Sequence, residues 1–97
     1  MDKSFFVYIM ASRKDGVLYT GVTSNLPKRA WEHRNKIVPG FTARYGVGRL
    51  AWIERHDNAE SAIRRERQIK KWRRAWKVEL IEKDNPAWAD LFDSLGE

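Results

Sequence analysis

Phe5-Phe6-Val7-Tyr8-Ile9-Met10-Ala11, then Arg13-Lys14-Asp15-Gly16, then Val17-Leu18-Tyr19-Thr20-Gly21-Val22-Thr23 is the stretch on which the fold turns. The first segment is continuous, aromatic and β-branched, the pattern of a strand buried on both faces. Arg13 to Gly16 supplies turn chemistry, with Gly16 free to take positive φ. The second segment reads as a returning strand, so the two predict a β-hairpin.

Reading outward, Ser24 and Asn25 are good helix N-caps and Pro27 fits a first turn. The helix they open is expected to run to about Asn35. Leu26, Ala30 and His33 share one face of it, Lys28, Trp31 and Arg34 lie elsewhere, and Arg29 falls beside Leu26 and His33. Lys36 to Gly48 is loop-like, interrupted by Pro39, Gly40, Gly46 and Gly48, and carries Phe41, Arg44 and Tyr45. Arg49 to His56 alternates as a third strand, with Leu50, Trp52 and Glu54 on one side and Ala51 and Ile53 on the other. Asp57-Asn58 caps a second helix, Ala59 to about Lys71, and a third passes through Trp72, Trp76, Leu80 and Ile81. Asn85-Pro86 predicts a last short helix to about Leu95. The expectation is an α/β (α+β) fold in the order β-β-α-β-α-α-α, a small three-stranded mixed sheet flanked by helices, as one domain over residues 1–97.

Composition narrows the function. A chain of 97 residues with five Trp can build one modest core. It has no cysteine, which excludes disulfides, thiolate catalysis and Cys-rich zinc sites. Its apolar N-terminal run is too short for a signal peptide or a membrane span, so a cytoplasmic protein is expected, with no membrane partner and a monomer as the default. A net charge of +6 and a pI near 9.9 favour a polyanionic partner, because each Lys or Arg set on a phosphate releases a counterion.

Glu66 stands out. At 100° per residue, Ala59, Ala62, Ile63 and Ile69 define an apolar arc on the second helix, with Glu66 in the middle of it. Burying an unpaired carboxylate costs several kcal/mol. The alternatives are a core Glu satisfied by an Arg or backbone donors, and an inward metal ligand or acid/base at a cleft floor, which is favoured. Arg29 and His33 sit on the inward face of the first helix, where aliphatics would serve structure better. An Arg there can pair with a carboxylate or clamp a phosphate. From Arg64 to Lys77 there are eight Lys or Arg against one acid, the pattern of a phosphate-tracking surface. Trp72 and Trp76, interleaved with that run, read as core residues.

Phe6-Val7-Tyr8 and, after ten intervening residues, Tyr19-Thr20-Gly21 resemble the paired triplets of the GIY-YIG nucleases. Val22-Thr23-Ser24-Asn25-Leu26-Pro27-Lys28-Arg29 looks like the segment leading to that family's catalytic Arg. His33 matches a position that often holds His or Tyr, and Glu66 matches the family's metal-binding Glu. The ending Asn85-Pro86-Ala87-Trp88 is similar to that of the small bacterial stand-alone members. Phe6 replaces the first triplet's Gly, and Val22 stands where some members carry an activating Lys. The resemblance implies a metal-dependent endonuclease that hydrolyses phosphodiester bonds, in DNA before RNA, in DNA processing or repair. It implies Tyr8, Tyr19, Arg29, His33 and Glu66 as catalytic residues, and Glu66 as the ligand of one Mg²⁺ or Mn²⁺. Arg44, Arg64, Arg67, Lys70, Lys71 and Arg74 are the expected nucleic-acid contacts. The alternatives are a non-catalytic nucleic-acid-binding module with the same fold and basic groove, and an interaction adaptor using the aromatics of the 36–48 loop and the C-terminal helix.

Overall fold

The computed structural model describes residues 3–36 and 40–95. Its centre is the hairpin. Strand β1 (Phe5–Ala11) pairs antiparallel with β2 (Leu18–Thr23) on one side and with β3 (Arg49–His56) on the other, giving the order β2-β1-β3. The sheet is antiparallel throughout rather than mixed. With β1 central, both neighbours run against it, and the two strands that run parallel never touch. Burial of Val7 through Ala11 without interruption fits that central place.

The two sheet faces carry different cores. Val7, Ile9, Ala11 and Trp52 pack with Ala62, Ile69, Ile81 and Trp88, beneath helices α3 (Ala59–Lys70) and α4 (Arg74–Asp84). Tyr8, Met10 and Leu50 pack on the other face with Leu26 and Ala30 of helix α1 (Leu26–Arg34). In β3 the expected alternation fails at one point. Ile9 faces Trp52 but Met10 faces Leu50, so Ala51 is an extra residue and the strand bulges there. Leu50 therefore lies with Tyr8 and Met10, opposite Trp52, and not beside it.

Asn25 caps α1 by accepting from the Lys28 amide, and Asn58 caps α3 by accepting from the Ser61 amide. Both caps fall where the sequence put them. The 36–48 segment is not all loop: a short helix, α2 (Phe41–Tyr45), lies between Gly40 and Gly46, both at positive φ. Glycines at both ends confine it to little more than one turn. Pro39 lies outside the described residues, as does the Phe41 side chain.

The C-terminal segment departs furthest from the helix its sequence predicts. Asn85 does not open a helix; it ends α4. Its side chain is buried, donating to the carbonyls of Ala51 and Ala89 and accepting from the Ala89 amide. Trp88, wholly buried at φ 56°, has left helical geometry, and its indole N–H donates to Glu82 at 2.7 Å. Only a four-residue 3-10 helix, Leu91–Ser94, follows. Asp90 fastens it by accepting from the amides of Leu50 and Phe92 and pairing with Arg34.

Candidate active site

Cross-strand register builds the site. Tyr8 on β1 lies opposite Gly21 on β2, and Met10 lies opposite Tyr19, so both tyrosines project from the α1-covered face. Gly21 is what makes room. A Cβ there would stand 2.5 Å from both Cζ and the hydroxyl of Tyr8, closer than atoms tolerate. The glycine of the second triplet thus seats the tyrosine of the first, a role the sequence reading did not give it.

Helix α1 delivers the next residues. Leu26, Ala30 and His33 form its buried face, as their spacing predicted. The Tyr8 hydroxyl lies 3.2 Å from His33 Nε2, and the His33 ring is stacked at a tilt 5.2 Å from Tyr19. Tyr8 and Tyr19 are 6.4 Å apart between ring centres. Burial holds His33 below its usual pKa of 6.5, and the nearby Arg29 cation lowers it further, so the imidazole is neutral at pH 7. Burial pushes the Tyr8 phenol well above its usual 10; Tyr19, Glu66 and Glu32 raise it too, while Arg29 opposes them. Tyr8 is therefore a protonated phenol, and its O–H donates to Nε2 when the imidazole proton sits on Nδ1.

Arg29 is less buried than its neighbours. Its side chain is 43% exposed and pairs at 3.7 Å with Glu32, one turn on. It also lines a shallow polar depression of about 280 Å³ with Thr23, Ser24, Asn25, Lys28 and Glu32. Glu32 is a second residue the sequence reading missed. Its signal was the i+3 spacing from Arg29, which makes it the internal counter-charge of that Arg.

Glu66 arrives from the other side. Helix α3 packs through Ala62 and Ile69 on the opposite sheet face, so Glu66 comes from a helix on the side away from α1. The Glu66 carboxylate is nonetheless close enough for its charge to be felt at the Tyr8 hydroxyl. Its side chain is only 13% exposed and pairs with Lys70 at 3.2 Å, one turn along α3. Among the described residues the partner is thus neither Arg29 nor a backbone donor. Ile63, by contrast, is 40% exposed and does not belong to the buried arc.

The expected nucleic-acid contacts divide into two groups. Arg64 pairs with Glu60, and Lys70 with Glu66, leaving both partly neutralised. Arg67, Lys71 and Arg74 are exposed, with no acidic partner among the described residues. Arg44 lies apart on α2, its guanidinium 5.5 Å from the Tyr45 ring centre. Trp76 is 48% exposed and not a core residue, while Trp72 is half-buried against the α3–α4 core. The tryptophans that fill the core are Trp52 and Trp88.

With this geometry in place, comparison with known proteins is decisive. The model of the GIY-YIG catalytic domain matches residues 4–79. The chain belongs to the GIY-YIG family. Similar proteins include a UPF0213 protein of Syntrophus aciditrophicus, 40% identical across 84% of this chain and 92% of that one. Another, from Clostridium perfringens, is 41% identical across 78% of this chain and 81% of its own length. The solution NMR structure of the UPF0213 protein BH0048 from Bacillus halodurans superposes with a TM-score of 0.56 at 28% identity, covering 90% of this chain and 92% of that one. Membership makes this a nuclease-type GIY-YIG domain whose substrate is nucleic acid. No helix among the described residues is long and apolar enough to cross a membrane.

Proposed function

We propose that this GIY-YIG chain is a divalent-metal-dependent endonuclease that hydrolyses phosphodiester bonds, in DNA ahead of RNA, and acts as a cytoplasmic monomer in DNA processing or repair. The observation that carries the reading is the Tyr8 phenol bonded to a neutral His33 within the fields of Arg29 and Glu66. A free phenolate is disfavoured there. A relay avoids one: the Tyr8 oxygen takes a proton from the attacking water as its own proton moves to His33 Nε2. Tyr19, packed on the His33 ring, orients the water. Arg29, half in solvent beside a polar depression, holds a non-bridging phosphate oxygen and offsets the charge that builds in the transition state.

Glu66 fits a hard cation and not a soft one. The described residues contain no group of three or more His, Asp or Glu that would cage zinc. A single carboxylate suits Mg²⁺ or Mn²⁺, which keep waters and take the rest of their oxygens from substrate phosphate. When bound, such a cation would polarise the phosphate and stabilise the leaving oxygen.

One observation favours the non-catalytic reading: the Lys70 ammonium already occupies Glu66. Lys70 is half exposed, so it can withdraw into water as a cation arrives. Labelled duplex, flapped, branched and single-stranded DNA and RNA, incubated with Mg²⁺ or Mn²⁺ and with a chelator, test the proposal. Metal-dependent cleavage of at least one DNA is expected. Undiminished cleavage in chelator removes the metal from the account, and binding of the panel with no cleavage in either metal assigns a binding module.

A further inference from the structure

Almost all of the net charge sits on one stretch. Residues 60–83 hold nine Lys or Arg against four Glu, while the remainder of the chain is nearly balanced. The same stretch exposes aromatic surface. Trp72 and Trp76 meet edge to face, ring centres 6.1 Å apart. The Arg65 guanidinium lies 5.2 Å from the Trp72 ring centre and that of Arg73 lies 4.9 Å from the Trp76 ring centre. Two open grooves meet at Trp72. One, of about 880 Å³, runs along the outer side of α3 past Ile63, Arg67 and Lys71, and the other, of about 380 Å³, is floored by Trp72, Trp76 and Leu80.

We propose that this α3–α4 face is a stacking exosite for an unpaired stretch of the nucleic-acid strand, its bases on Trp76 and Trp72 and its phosphates on Arg67, Lys71 and Arg74. The inference rests on the nuclease reading for its biological meaning but uses residues outside the catalytic set. Exposed aromatic rings set among cations are the surface that sequence-tolerant strand binding uses, since every base has a π-face. A blunt duplex offers phosphates but no free base face, so it gains only the electrostatic part. A second copy of this chain is disfavoured by like charge. An acidic peptide would use the cations but has no need of two flat rings. Glu79 lines the tryptophan groove, but Lys83 in the same groove offsets it. The exosite adjoins the chemistry along the chain: Trp72 follows Glu66 by six residues, just past the end of α3.

Fluorescence anisotropy with short labelled oligothymidylate, oligouridylate and a blunt duplex, all without divalent metal, tests the proposal. Trp76 is exposed, so Trp76→Ala leaves the core intact. It should weaken binding of one or both unpaired oligomers roughly tenfold, the scale of one lost base stack, and leave the duplex within about twofold. Trp76→Phe, which keeps a ring, should restore most of the loss. The two oligomers distinguish DNA from RNA as the source of the strand. Equal binding by wild type and Trp76→Ala overturns the exosite, as does an equal loss on oligomer and duplex. So does Trp76-dependent binding of polyglutamate in place of either oligomer. Cleavage enters none of these arms. An inactive protein with Trp76-dependent oligomer binding loses the nuclease reading and keeps the exosite; an active one indifferent to Trp76 does the reverse.

Discussion

Tyr8 and Gly21 share one space, and that pairing carries a prediction of its own. Gly21→Ala places a methyl 2.5 Å from the Tyr8 hydroxyl, so the ring has to move and its bond to His33 breaks. Overpacking of this kind costs about 1–3 kcal/mol. Thermal unfolding should show that loss, and cleavage should fall far more than stability, because the relay is severed. A variant that melts lower but cleaves normally would remove Tyr8–His33 from the chemistry. His33 adds a pH signature. Its folded pKa lies below the unfolded 6.5, so the unfolded chain binds the extra proton in that window. Stability is thus full above pH 6.5 and declines as pH falls through the folded value. His33→Gln should flatten that acid limb. Activity needs the neutral ring, so the acid limb of kcat/KM should fall below pH 6.5. An acid limb centred well above pH 6.5 would show that the group controlling cleavage is not this histidine.

Among the elements, the hairpin, α1, β3 and α3 were legible because local chemistry and tertiary packing agree there. Each has a clear period or a side-chain cap, and Asn25 and Asn58 cap where they were expected to. Tyr8, Tyr19, His33 and Arg29 could be placed near one another for the same reason: strand register and helix phase fix them. Glu66 was read correctly as inward but not as coming from the opposite face, since helix phase says nothing about which side of a sheet a helix covers. The bulge at Ala51 leaves no mark on an apolar strand, and it reversed the side of Leu50. Asn85-Pro86 misled because a cap signature is local, whereas the Asn85 side chain is claimed by Ala51, 34 residues away. Asn85→Ala should therefore act as the loss of a buried tie and not of a helix cap, destabilising by about 1–3 kcal/mol with no loss of helical circular dichroism beyond that of unfolding. Denaturant titration with far-ultraviolet detection measures both.

At the scale of the whole molecule, the charge on residues 60–83 predicts strongly salt-dependent binding, with log K falling at about 0.9 per neutralised phosphate on duplex DNA. Reversing Arg67, Lys71 and Arg74, three exposed cations with no acidic partner among the described residues, should flatten that slope. Reversing Arg64 should matter less, because Glu60 already neutralises part of it. An unchanged slope in the triple variant would move the phosphate surface to another face. Glu66 joins this surface to the catalytic face, and Glu66→Gln separates binding from turnover. Gln keeps the volume and removes the charge a hard cation needs. The partner it releases, Lys70, is half exposed and can be hydrated, so the stability change should stay within about 1 kcal/mol. The most direct measurement is the single-turnover cleavage rate of Glu66→Gln in Mg²⁺, on whichever DNA the wild type cuts, alongside its Kd for that DNA without metal. The account predicts cleavage abolished with Kd unchanged or slightly tighter. Cleavage retained at the wild-type rate, or lost only in step with binding and folding, would contradict it.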